Sequence, residues 1–294
     1  MDYLLRGMSF SFENLKGGTG KSTLLANMAS ISHKKGWTTV IVDLDSNLAL
    51  TLASLGDDTN HTNTLIQAIE RIQMGMSFED LLCWSQALSC YILQGSVNGI
   101  DENEAKLIPE VINQLKNTVV INDGVPVPVD LVLVDLPGEN VSVNTIAMSA
   151  LDYIAVPFMF SITDCNAVLK TYETIKRVQN SNVAKNPKLL GLLPNNVDSK
   201  GSVERSLYDF VKVIAESSRV LPYIPHSRDI KGTMLKQTKD GKKGVVDFAQ
   251  NRPIALRLES VWDSLNDPEK KDYSEEFARF INLDTSSTAE ETNG

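Results

Sequence analysis

Short, unbroken runs of aliphatic and β-branched residues alternate along the chain with longer stretches whose apolar positions recur at helical spacing. That alternation predicts an α/β fold, a mostly parallel twisted β-sheet flanked by helices on both faces. Ser9–Glu13 reads as the first strand, after a short lead, and Lys21 to about Lys35 as a helix stopped by Gly36. Thr38–Asp43, Leu131–Asp135, Tyr153–Pro157 and Leu189–Leu193 are continuous apolar runs, as strands buried on both faces require. Val220–Tyr223 is a shorter run of the same kind, and Thr163–Asn180 and Ser202–Ser217 read as the helices between.

Residues 57–130 break the rhythm. They predict helices at Thr64–Met74 and Phe78–Ala87, the second led by Ser77 and Asp80 at capping-box spacing. A strand-like CYIL follows, and TVVINDGVPVPVD predicts a hairpin turning at Asn122-Asp123-Gly124, with Pro126 and Pro128 suited to an edge. We read this segment as an insertion within a single domain spanning 8–283, followed by a polar, disordered tail at 284–294.

The first strand and first helix are joined by KGGTGKST, Lys16–Thr23. A phosphate-binding loop of the form G-x-x-x-x-G-K-[ST] needs glycine where Leu15 stands, and this loop carries an additional lysine, Lys16. Gly17, Gly18, Thr19 and Gly20 can still turn their N–H groups toward phosphate oxygens at a helix N-terminus. Lys21 would neutralise the β- and γ-phosphates, Ser22 would place its hydroxyl on Mg²⁺, and Thr23 would lie near the α-phosphate. Two acidic motifs follow in order, VIVDLDSN and LVLVDLPG. Asp43 and Asp45 leave the same face at a strand end, where one of them could also cap the next helix, and Asp135 ends another apolar strand.

KGGTGKST, DLDSN and DLPG together resemble the deviant Walker A family of ATPases, of P-loop NTPase type. The family includes the ParA and Soj partition proteins, MinD and the nitrogenase iron protein. In that family the glycine missing at Leu15 is normally missing, and the extra lysine is the signature. The resemblance implies ATP and Mg²⁺ as cofactors. It implies that Lys16 reaches across an ATP-bound homodimer to the partner's phosphates, that Asp45 orients the attacking water near Mg²⁺, and that Asp135 is the Walker B acid. It also places Asn195 of GLLPNNVDS at the adenine edge, with Pro225 and His226 of PYIPHSRD lining the base. His226 stands where the family has Arg or Asn, and DSNLA replaces the usual DPQGN.

Charge and cysteine content narrow the choice within the family. Cys83, Cys90 and Cys165 lack ligand-like spacing and none closely follows Asp135, which argues against an iron–sulfur cluster. They suit free thiols in a reducing cytoplasm. No apolar run is long enough for a membrane helix, and the C-terminal DYSEEFARFINL pairs its apolar stripe with an acidic face, so it is expected to pack on the domain rather than on lipid. The net charge is −9, yet Arg228 to Arg257 holds eight basic residues against three acidic ones. Arg228, Lys231, Lys236, Lys242, Lys243 and Arg252 are the expected contacts to nonspecific DNA, against a plain solvated loop. The resulting expectation is a nucleoid-associated, ParA-like ATPase that partitions a plasmid or chromosome, stimulated by a ParB-like centromere-binding adaptor and using no membrane. The alternative is a related MinD-like or cargo-positioning ATPase acting on a protein complex.

Overall fold

The computed structural model describes residues 3–56, 59, 63–122, 124–138, 140–181, 187–198, 218–231, 241, 244–248, 252–267, 269 and 271–281. The predicted helix at Ser202–Ser217, Lys236, Lys242, Lys243 and the 284–294 tail lie outside the described residues.

The described strands are β1 (Met8–Phe12), β2 (Thr39–Asp43), β3 (Cys83–Ser85), β4 (Cys90–Leu93), β5 (Val119–Asn122), β6 (Val125–Pro128), β7 (Leu131–Asp135), β8 (Tyr153–Phe158) and β9 (Lys188–Pro194); β3 falls where a helix was expected, and Val220–Tyr223, expected as a strand, forms only an isolated bridge from Val220 to Leu192 beside β9. Seven of them build one sheet in the order β3-β4-β2-β7-β1-β8-β9, and only the β3/β4 pair is antiparallel. Among the described residues the helices are α1 (Lys21–Lys34), α2 (Ala49–Leu55), α3 (Leu65–Gln73), α4 (Glu102–Ala105), α5 (Ile108–Lys116), α6 (Val141–Ala150), α7 (Ile162–Asn180), α8 (Arg228–Lys231), α9 (Val245–Phe248), α10 (Pro253–Leu265) and α11 (Ser274–Phe280).

Alternate residues of each central strand feed opposite cores. Val40, Val42, Val132 and Val134 face α3, α5, α6 and α7, whereas Ile41, Leu131 and Leu133 face α1 and α10. That two-sided burial is why these strands read as continuous apolar runs rather than alternating ones. On the α1 side Trp37 meets Trp262 edge-on at 5.1 Å.

The segment 57–130 differs from the expectation in two respects. The predicted helix Phe78–Ala87 is a single 3₁₀ turn, Glu79–Leu81, followed by β3. Asp80 pairs with Arg71 instead of closing a cap. Cross-strand pairing outweighs the local helical period here: Trp84 packs edge-on against Tyr91 of β4 at 5.1 Å, and Ser85 Oγ donates to the Ser54 carbonyl. The second difference is that β4 pairs in parallel with β2, so the segment supplies one edge of the main sheet as well as added elements. The hairpin forms as expected, with Asn122 opposite Val125 and Gly124 at φ 79°, but as a separate two-stranded sheet. α11 packs through Phe277 and Ile281 against Val197.

Candidate nucleotide site

The loop after β1 runs directly into α1, so that the helix N-terminus opens on the carboxyl ends of the parallel strands, where such folds bind ligands. Gly20 is the N-cap, at φ 92°, with no side chain capping the first turn. Its N-terminal N–H groups are therefore free for an anion. Gly20 has a second reason to be glycine, since a Cβ there would stand 2.6 Å from Asn195 Nδ2. A cavity of about 930 Å³ opens above the loop, lined by residues 17–23, Asp45–Asn47, Ala49, Pro137, Gly138 and 140–142. Gly17, Gly18, Thr19, Gly20, Lys21, Ser22, Thr23 and Asp45 all face it. Lys21 is nearly buried, and its Nζ donates to the Asn14 carbonyl at 2.9 Å.

Asp43 and Asp135 sit side by side in register on β2 and β7, yet differ in what they meet. Asp43 accepts from Thr51 N at 2.9 Å, Thr51 Oγ1 at 2.6 Å and Asp45 N at 3.1 Å. It ties β2 to α2, the structural role left open by the sequence. Burial pushes its carboxyl up to about 6. Asp135 is equally buried, but neither of its oxygens accepts a hydrogen bond. Burial first, and then the neighbouring Asp43, push it well above the ordinary carboxylate range. Lys21 and Ser22 pull the other way without reaching hydrogen-bond geometry. A buried carboxylate with two orphaned oxygens, beside a hydroxyl and a phosphate-type loop, suits a hard cation with oxygen ligands such as Mg²⁺. Asp45 lies on the cavity wall, where its Oδ1 accepts from Asn47 N and Nδ2, each at 3.0 Å.

Lys16 lies at the mouth of the loop with its side chain 37% exposed. Its ammonium is folded back within the chain onto the N-terminus of α7, 2.8 Å from Thr163 Oγ1 and 3.1 Å from Asp164 Oδ1. Ser161, the N-cap of α7, completes the cradle at 3.5 Å.

A smaller cavity of about 200 Å³ adjoins the loop beyond Gly18, Gly20 and Thr23, walled by Met159, Asn195, Pro225 and Ile230 among others. Asn195 Nδ2 is spent on the Thr19 carbonyl at 2.8 Å, leaving Oδ1 buried and unpaired. Pro225 lines this wall. His226 does not; it is exposed, with Nδ1 2.9 Å from Asn196 Oδ1, and Ser227 takes its place.

The basic segment is less free than its composition suggests. Arg252 pairs with Asp229 at 2.9 Å, and Arg257 pairs with Glu276 at 2.7 Å while lying over the Tyr223 ring. Arg228 is exposed and Lys231 ends α8. Several residues at the site escaped the sequence reading. Ser161-x-x-Asp164 was legible as a helix start, but its contact with Lys16 required knowing that β1 and β8 are neighbours. Glu13 and Asn144, buried behind the loop, left no sequence signal.

A protein-family model, the CobQ/CobB/MinD/ParA nucleotide binding domain, matches residues 10–238. A ParA family protein of Mycoplasma pneumoniae is 27% identical over 233 residues, covering 72% of this chain and 80% of that protein. Among solved structures, the cell division ATPase MinD of Pyrococcus furiosus superposes with a TM-score of 0.65 at 20% identity, covering 87% of this chain and 97% of that one. Cobyrinic acid a,c-diamide synthase of Mycobacterium smegmatis, solved with ADP and magnesium, gives 0.63 at 21% identity, covering 88% and 93%. With its family model spanning well over half of the sequence and the loop, acids and sheet order in place, this chain belongs to the CobQ/CobB/MinD/ParA nucleotide-binding domain family.

Proposed function

We propose that the chain is a Mg²⁺-dependent ATPase of ParA type, whose ATP-bound homodimer binds nonspecific DNA and is returned to monomers by hydrolysis. The observation that carries this reading is the division of labour between two lysines. Lys21 is buried under the loop, where it would serve the subunit's own phosphates, whereas Lys16, the residue before the cavity lining begins at Gly17, is partly exposed on breakable contacts. A second subunit facing the cavity would bring its phosphates to Lys16, which would couple nucleotide state to dimer state.

In this scheme the loop N–H groups and Lys21 hold the phosphates in a fixed field. Ser22 and Asp135 would hold Mg²⁺, Asp135 through water, and Asp45 would orient the attacking water. Bound Mg²⁺ supplies positive charge against the phosphate oxygens. Asn195 Oδ1 is the free acceptor for an adenine amino group in the smaller cavity. Phosphoryl transfer demands little covalent help, so positioning and charge are what the chain provides.

DNA binding rests on Arg228, Lys231, Lys236, Lys242, Lys243 and Arg252, of which Arg252 already has an acidic partner. A ParB-like adaptor, bound at a centromere-like site on a plasmid or chromosome, would stimulate hydrolysis. Retention on random-sequence DNA with ATP, compared with an ATP-free control and with anionic lipid vesicles, tests the reading. ATP-dependent, salt-sensitive DNA retention supports partition. No DNA retention in any nucleotide state would leave the cargo-positioning alternative.

A further inference from the structure

Behind the cavity, the first residue after β1 is a buried acid. Glu13 is 0% exposed, and its backbone N–H continues the β1/β8 ladder by donating to the Ala155 carbonyl at 3.0 Å. Its carboxyl cannot swing out to water. Among the described residues, the side chain that hydrogen-bonds it is Asn144 of α6, also 0% exposed, whose Nδ2 donates to Glu13 Oε1 at 3.2 Å.

The same Asn144 Nδ2 donates its other hydrogen to the Pro137 carbonyl at 2.8 Å. Asn144 therefore bridges three elements: the end of β1, the first turn of α6 and the loop that follows Asp135. Each of them borders the reaction space. Pro137, Gly138 and Asn140 line the cavity, and a Cβ on Gly138 would come within 3.5 Å of Gly17 Cα. Asn14, next to Glu13, supplies the carbonyl that holds Lys21.

The pair is left with two buried acceptors that have no donor, Glu13 Oε2 and Asn144 Oδ1. Orphaned acceptors inside a protein are destabilising, so a pair kept this way needs a reason. A neutral acid supplies the donor that an ionised one lacks, and burial favours that form, pushing Glu13 up to about 7 against the pull of Lys21.

We propose that Glu13 and Asn144 are a buried positioning pair for ATP hydrolysis, setting the loop after Asp135 against the phosphate loop. The inference deepens the ATPase reading above and rests on it. Neither residue touches the nucleotide; both act through the Pro137 carbonyl and the backbone of the loop it belongs to.

The test is steady-state ATP hydrolysis together with the affinity for a fluorescent ATP analogue, in wild type, Glu13→Gln, Glu13→Ala, Asn144→Ala and the double alanine variant. Glu13→Gln keeps the shape and one donor, and is expected to stay within about twofold of wild type in both readouts. Glu13→Ala and Asn144→Ala are each expected to lower kcat about tenfold while changing nucleotide affinity by less than about threefold. The double variant should be no worse than the poorer single one, because the two residues act as a unit. Wild-type kcat in either alanine variant, equal losses of kcat and affinity, or Glu13→Gln as impaired as Glu13→Ala overturns the pair. If Glu13→Ala does not fold, Asn144→Ala carries the same comparison. A wild-type chain that neither binds nor hydrolyses ATP refutes the ATPase reading instead, a different outcome from any of these.

Discussion

Lys16 Nζ lies 3.1 Å from Asp164 Oδ1, and the carboxylate of that pair is 4% exposed while the lysine is 37% exposed. The lysine predicted to act on a partner's nucleotide is thus held by its own chain. A half-exposed pair of this kind is worth up to about 1 kcal/mol, which a phosphate group in trans can outcompete. In the proposed ATP-bound dimer the contact would set a threshold for assembly rather than block it.

Asp164→Asn should therefore tighten ATP-dependent dimerisation by about threefold to fivefold, since removing a contact worth up to about 1 kcal/mol frees Lys16. Sedimentation velocity across a concentration series in ATP measures it. Weaker dimers from Asp164→Asn would show that the pair supports the dimer instead of competing with it.

Gly20→Ala should abolish nucleotide binding. The residue has φ 92°, and an added Cβ would press to 2.6 Å from Asn195 Nδ2. The strained backbone alone costs about 1–3 kcal/mol. Pairing the change with Asn195→Ala removes the clash but not the φ requirement, so titration with a fluorescent nucleotide should show at most partial recovery.

Asp43→Asn and Asp135→Asn should separate in thermal melts without nucleotide or Mg²⁺. Asp43 accepts three hydrogen bonds, and the amide disrupts them at a cost of about 1–3 kcal/mol. Asp135 accepts none, so its amide should leave the melting temperature unchanged or raise it. With Mg²⁺-ATP, Asp135→Asn should lose the hydrolysis that wild type shows.

Glu13 gives the nucleotide-free chain an inverted acid response. Its carboxyl ordinarily titrates at 4.5 and in the fold at about 7. Between those values the folded chain binds the additional proton, so this group's stabilisation is fully present below pH 4.5 and is lost as pH rises through 7. The melting temperature should climb as pH is lowered from about 8 to about 5.5, and Glu13→Gln should flatten that slope. A wild-type slope unchanged by Glu13→Gln would place the titration elsewhere.

Much of the fold is legible in the sequence. Two-sided burial writes itself as unbroken apolar runs, which is why β2, β7, β8 and β9 could be placed. The loop, Asp45 and Asp135 were legible because a phosphate site needs glycine freedom, one fixed lysine and acids at strand ends. Phe78–Ala87 misled because Trp84 takes its conformation from Tyr91 across the sheet, a partner the local period does not encode. His226 read as part of the base wall because its neighbour Pro225 is; a hydrogen bond to Asn196 turns it outward. Glu13 was hidden for the same reason as Asp164, since its meaning lies in Asn144, 131 residues away.

The claim that the two lysines serve different subunits is tested most directly by light-scattering molar mass with saturating Mg²⁺-ATP, alongside ATP affinity, for wild type, Lys16→Ala and Lys21→Ala. Wild type should double its mass on adding ATP. Lys21→Ala should lose ATP affinity and remain monomeric, and Lys16→Ala should bind ATP within about threefold of wild type yet remain monomeric. An ATP-driven dimer of normal strength from Lys16→Ala would contradict the account.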